Sequence, residues 1–253
     1  MIRLAATLLI LLATVVAARA ERLVSTLSNA SVQITSSFAG EVLTLFGNIE
    51  PNAGEADQAV AGPFHVIIVI EGPLADGVAR RKRNVFGIWV NTEQVTFEDF
   101  PSYFQVLSSG RLGAITNATT LAVENIDPAA QARHSTVAGY WDSAVFGQSL
   151  VRLMTERGHF GVREDGVRFL SSTAYAARMV LPHDVPNGRF AARTYVFRNG
   201  EVVAERSEGF TVQKMGFERF IFSAAVGQPF LYGLVCVILA IFTGWLGGVV
   251  FRR

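Results

Sequence analysis

Cysteine is all but missing from this chain: of its 253 residues only Cys236 is one. It lies in an apolar segment near the C-terminus, so no disulfide can form in the part that precedes it. Stability there must come from a packed core. A lone thiol in apolar surroundings reads as inert packing. Histidine is scarce as well. His65, His134, His159 and His183 lie far apart without ligand-like spacing, and neither H-E-x-x-H nor C-x-x-C occurs, so no metal and no cofactor is expected. A phosphate-cradling Gly-rich loop is also lacking. The nearest approach to a G-x-S-x-G elbow, Gly147-Gln148-Ser149-Leu150-Val151, falls within a helical repeat and not at a strand-to-helix turn. Without a catalytic signature, an enzyme is not expected.

Charge is thin too. The formal net charge of +1 includes four arginines at the two ends (Arg3, Arg19, Arg252 and Arg253), where there is no acid, so the part between carries −3. A mildly acidic domain suits neither nucleic acid nor anionic lipid by bulk charge.

What the chain does have is an apolar run at each end. Residues 4–18, after Met1-Ile2-Arg3 and before Ala18-Arg19-Ala20, form a 15-residue apolar stretch with a positive leader and a small-x-small site. That is the pattern of a signal peptide ending at Ala20. Residues 230–251 are 22 residues without a charge, closed by Arg252-Arg253. As a helix this run spans roughly 33 Å, enough for a hydrocarbon core of about 30 Å. An exported domain (residues 21–216), a stem (217–229), one transmembrane helix and a two-residue cytoplasmic tail are therefore expected.

The intervening sequence reads mainly as strands. Residues 31–34 read as a short strand, residues 41–48 alternate, and His65–Glu71 is a nearly continuous β-branched run, as in a strand covered on both faces. Residues 85–91 place Phe86, Ile88 and Val90 on one face, with Val85 and Trp89 on the other. Gly- and Pro-bearing loops at 51–62 and 72–77 separate these runs. Asp127-Pro128 opens a helical region, with Asp127 as cap, and Phe146, Leu150, Leu153 and Met154 follow at helical spacing up to a stop at Gly158. One or two helices are expected over 128–157, inside a helical insertion of about 112–160. Strands resume at Gly166, with 174–181, 189–198, 201–206 and 210–213 following. Asn199-Gly200 is a two-residue hairpin signal. The predicted fold is an immunoglobulin-like β-sandwich with a helical insertion, two small β domains being the alternative.

Two patterns are candidate functional sites. Arg80, Arg81, Lys82 and Arg83 are the densest charge in the chain. Guanidinium forks suit sulfonate, phosphate or carboxylate, although a solvated strand entry explains the same run. Alternation along a strand lets only part of the cluster converge. Trp89 and Trp141 read as packing residues, and His183-Asp184 as a solvated loop. In the apolar helix, Cys236, Ala240, Gly244 and Gly248 recur every four residues as a stripe of small side chains, suited to close approach of a second helix.

The stretches 34–38, 81–91 (RKRNVFGIWVN), 166–170 and 181–203, and above all 214–220 onward through Gly244-Trp245-Leu246 to Arg252-Arg253, resemble a family of alphaproteobacterial transmembrane proteins. Residues 112–141 fit it least well. The family has no established activity, so the resemblance assigns no catalytic residue. It implies a signal peptide, a periplasmic domain, an inner-membrane anchor and association with permeases of the sulfite-exporter (TauE/SafE) type. The expected function is an interaction protein, accessory to such a permease of sulfite or a small organic anion. The partner reached through the small-residue stripe is that permease or a second copy of the chain. The alternative is a small-anion binding or sensing module centred on Arg80–Arg83.

Overall fold

In the computed structural model the described residues are 21–35, 38–51, 62–137, 143–214, 221 and 224–250. The expected signal peptide, residues 52–61 of the expected loop, Trp141, residues 217–220 and 222–223 of the stem, and the tail lie outside them.

The strands are β1 (Arg22–Leu27), β2 (Ser31–Ile34), β3 (Glu41–Glu50), β4 (His65–Glu71), β5 (Leu74–Val85), β6 (Ile88–Pro101), β7 (Phe104–Ser108), β8 (Thr136–Val137), β9 (Phe160–Arg163), β10 (Val167–Phe169), β11 (Ala174–Leu181), β12 (Gly188–Arg198) and β13 (Glu201–Lys214). The helices are α1 (Leu112–Ile115), α2 (Ala118–Val123), α3 (Gln131–His134), α4 (Ser143–Glu156) and α5 (Pro229–Val250). A 3₁₀ turn, Pro128–Ala130, precedes α3.

The strands form three sheets, in the orders β1-β3-β11-β10, β2-β13-β12-β4-β7-β9 and β5-β6-β8. Pairing is antiparallel except for β2 with β13 and β7 with β9. The six-stranded sheet is the middle layer. One of its faces meets the four-stranded sheet, where Leu43, Leu45 and Ile49 of β3 pack with Val66, Ile68 and Ile70 of β4 and with Tyr175, Ala177, Met179 and Leu181 of β11. Its other face carries Ile67, Val69, Phe104, Val106, Tyr195 and Phe197. These meet Ala79, Val95, Phe97 and Phe100 of the β5–β6 hairpin and Phe146 and Leu150 of α4.

This three-layer arrangement explains His65–Glu71. A strand with one wet face alternates, whereas β4 buries five consecutive residues, Val66 to Ile70, because both of its faces are covered. The helical region follows its local signals. Asp127 accepts the Ala129 N–H at 2.9 Å with Pro128 at the first position, and Gly158 takes φ +76° after α4. The Asn199-Gly200 turn has φ +52° and +87°, as a type I′ hairpin requires.

Several expectations are corrected. Residues 85–91 are not one continuous strand: Phe86 and Gly87 both take positive φ (+51° and +85°) and reverse the chain, so Val85 ends β5 and residues 88–91 begin β6. The signal was masked because phenylalanine occupies a position usually held by Asn, Asp or Gly. Asn84 supplies the missing turn chemistry from outside, its Oδ1 accepting the Gly87 N–H at 2.8 Å. The expected loop at 72–77 gives way to β5 at Leu74. Residues 201–206 and 210–213 form one strand, since Ser207, Glu208 and Gly209 keep their pairing with β12. Among the described residues of 128–157 the helices number two, α3 and α4, with the unexpected β8, which pairs with β6, between them. β1, β7 and β9 were not anticipated.

Candidate functional site

The charge cluster and the turn beyond it occupy one element, the β5–β6 hairpin. Ala79 and Val95, facing each other in register, are the last pair buried in the core. Beyond them, residues 80–94 form an arm with no buried residue.

The arm's cations divide between its faces, as alternation requires. Glu93 accepts from both Arg81 (Nη1 to Oε2, 2.9 Å) and Arg83 (Nη2 to Oε1, 2.7 Å), so one carboxylate engages two guanidinium groups. A register shift between Arg81 and Lys82 accompanies this pairing. The Arg81 guanidinium carbon also lies 4.7 Å from the centroid of the Phe146 ring, tying the arm to α4. Arg80 donates from Nε to Gln94 Oε1 at 2.9 Å. Arg80 and Lys82 make no ion pair among the described residues. The four basic residues therefore do not all face one anion site, since Glu93 already takes one nitrogen of Arg81 and one of Arg83.

The tip is apolar. Phe86 is fully exposed, Trp89 is 67% exposed and Ile88 66%, with Val85 and Val90 beside them. Trp89, expected as a packing residue, instead faces water. Sequence reasoning missed this group because it assigned the segment to a strand. The Phe86-Gly87 turn between two apolar residues was the available signal.

The second candidate, the stripe on α5, lies as its spacing demands. α5 is a 22-residue helix bearing Cys236, Ala240, Gly244 and Gly248 along one side. A Cβ added at Gly244 or Gly248 would meet nothing within 4 Å, so neither glycine of the stripe has a packing neighbour among the described residues. Ile238, Ile241, Phe242 and Trp245 line a shallow apolar groove on another side. The apolar window at residues 229–249 is long enough to cross a membrane, and none of it is buried.

A polar pair closes one end of the sandwich. His159 Nε2 lies 3.0 Å from Asp184 Oδ2, so the expected solvated loop at His183-Asp184 is partly engaged. Burial pushes the Asp184 carboxyl up, but the His159 imidazole beside it outweighs this and holds the group below the usual aspartate range. Burial raises Tyr103 nearby, against a smaller lowering from Arg163. Among the described residues no three His, Cys, Asp or Glu side chains are grouped to hold a metal ion.

A protein family described as "Putative transmembrane protein (Alph_Pro_TM)" matches residues 22–253. None of the curated proteins matches the chain.

Proposed function

The chain belongs to this transmembrane family, and from that premise we propose that it is a membrane-anchored interaction protein whose β domain acts by contact and not by turnover. The observation that carries this reading is α5, an apolar helix of membrane-crossing length with every described face uncovered, including a stripe of small residues. Lipid tails offer no hydrophobic drive for helix pairing, so a stripe that admits close backbone approach is a ready docking face. The proposed partner is a permease of the sulfite-exporter type, as the resemblance of the sequence suggests. The leader-like residues 1–20 and the terminal Arg252-Arg253 support an inner-membrane protein with a periplasmic domain.

The domain itself we infer to be immunoglobulin-like. The orders β1-β3-β11-β10 and β2-β13-β12-β4-β7 support this, since they follow the A-B-E-D and A′-G-F-C-C′ arrangement of a variable-type sandwich. The β5–β6 hairpin and the helices then fill the segments on either side of the fifth of these strands. A small-anion module is the weaker reading, because Glu93 already occupies the paired guanidinium groups.

Gentle solubilisation of the full-length protein from its own membranes, with identification of what co-purifies, tests the docking. A stoichiometric permease that is lost in Gly244→Leu supports the reading. Unchanged co-purification in that variant overturns docking through the stripe.

A further inference from the structure

The arm at residues 80–94 is built unlike the body that bears it. Four cations and one carboxylate leave it at +3, whereas the rest of residues 21–229 sums to −6. It is a two-stranded ribbon of about 20 Å at roughly 3.4 Å per residue. Its tip offers water two aromatic rings and an isoleucine. A solvated strand entry does not call for such a tip, and an anion site does not either. Indole and phenyl rings ahead of a basic collar fit the boundary between headgroups and acyl chains, where Trp is enriched and Lys or Arg meets anionic lipid.

The register fixes where the arm lies. β13 leaves the domain beside Gly188, which pairs with Val212 and packs on Pro73 at the root of the hairpin. The far end of α4 is at this same end, where the Phe104 N–H bonds the His159 carbonyl at 2.9 Å. From there the hairpin follows α4 backwards, with Gly77 beside Leu150 and Arg81 on Phe146. The tip therefore stands past the first turn of α4, some 44 Å from Pro73 at about 3.4 Å per residue. Fourteen residues separate Lys214 from Pro229. They reach no further than about 49 Å, which keeps the domain within its own length of the bilayer.

We propose that this tip is a second membrane contact. Phe86, Ile88 and Trp89 enter the interfacial layer of an anionic bilayer, with Arg80 and Lys82 on the headgroups, and the domain lies along the membrane between the tip and α5. The acidic body is repelled by the same surface, so the arm alone docks and the orientation is selected. The contact depends on α5 being in a membrane and not on what α5 pairs with, so a negative result with Gly244→Leu leaves it standing.

The test uses the full chain in vesicles of phosphatidylcholine with a minority of phosphatidylglycerol, in a Cys236→Ser background. Phe86→Cys carries an environment-sensitive dye, and Leu170→Cys, on the exposed side of the sandwich, carries the same dye as reference. The dye at position 86 is expected to shift to the blue and to be quenched by a lipid-borne quencher, while that at 170 is not. Arg80→Gln with Lys82→Gln is expected to lower the docked-to-free ratio roughly thirtyfold, at about fivefold per basic group near an anionic surface. A dye at 86 that stays as wet as the one at 170 overturns the proposal. Burial without lipid quenching overturns it too, because the tip would then sit in a protein pocket.

Discussion

Arg81 stacks its guanidinium on the ring of Phe146, 4.7 Å from the centroid, and donates from the same group to Glu93. A planar fork does both at once; an ammonium does neither as well. Arg81→Lys is therefore expected to lower stability by about 1 kcal/mol, with Arg83 and Glu93 left to pair alone. Arg80→Lys, which loses only a bond to the Gln94 amide, should stay within about 0.5 kcal/mol of the parent. Chemical denaturation of both variants checks this, and equal losses would remove the special role of the stacked position.

The ring of Tyr175 lies across Gly47 on the neighbouring strand, the two residues facing each other in register. A Cβ added to Gly47 would stand 2.2 Å from Tyr175 Cζ. The ring is fully buried in the core between the sheets. Gly47→Ala is expected to destabilise the domain by about 1–3 kcal/mol, the cost of overpacking. Thermal unfolding reads it, and a neutral outcome would mean that the ring can rotate away.

Much of this fold was legible because local chemistry and tertiary environment agree. The five-residue buried run of β4 announced two covered faces, and Asp127, Gly158 and Asn199-Gly200 punctuated the chain where the structure turns. What was not legible depended on partners distant in sequence. β7 and β9 pair in parallel across a helical segment, and β9 is four residues long, too short for alternation to show. The Phe86-Gly87 turn was hidden by a residue whose cost there is met by Asn84. The charge cluster was visible in the sequence, but its division was not, because Glu93 belongs to the returning strand. The apolar tip became visible only once the segment was known to turn.

Asp184 gives the fold a dependence on pH. Its carboxyl is held below the usual range by His159, despite partial burial that acts the other way. A depressed folded-state value means that the contribution is complete above the unfolded value, about 3.9, and is lost as pH falls through the folded one. The side chain is partly in water, so the effect is small. Asp184→Asn should be less stable than the parent at pH 6, with the difference closing below about pH 4. A gap that persists unchanged at pH 3 would show that the aspartate acts through packing instead.

Ile67 and Ile68 are adjacent on β4 and face opposite cores, Ile68 toward the four-stranded sheet and Ile67 toward the hairpin and α4. Both are completely buried. Truncation to alanine should cost each about 2–5 kcal/mol, the spread reflecting how far each cavity can collapse. β4 and β12 supply side chains to both cores, so opening either core strips one face of the strands on which the other rests. Ile67→Ala and Ile68→Ala are therefore expected to move one and the same unfolding transition, whether followed by far-ultraviolet circular dichroism or by hydrogen exchange in the outer sheets. If Ile67→Ala loosened only the hairpin layer and left exchange in β3 and β11 unchanged, the third layer would be a separable cap and not part of one cooperative unit.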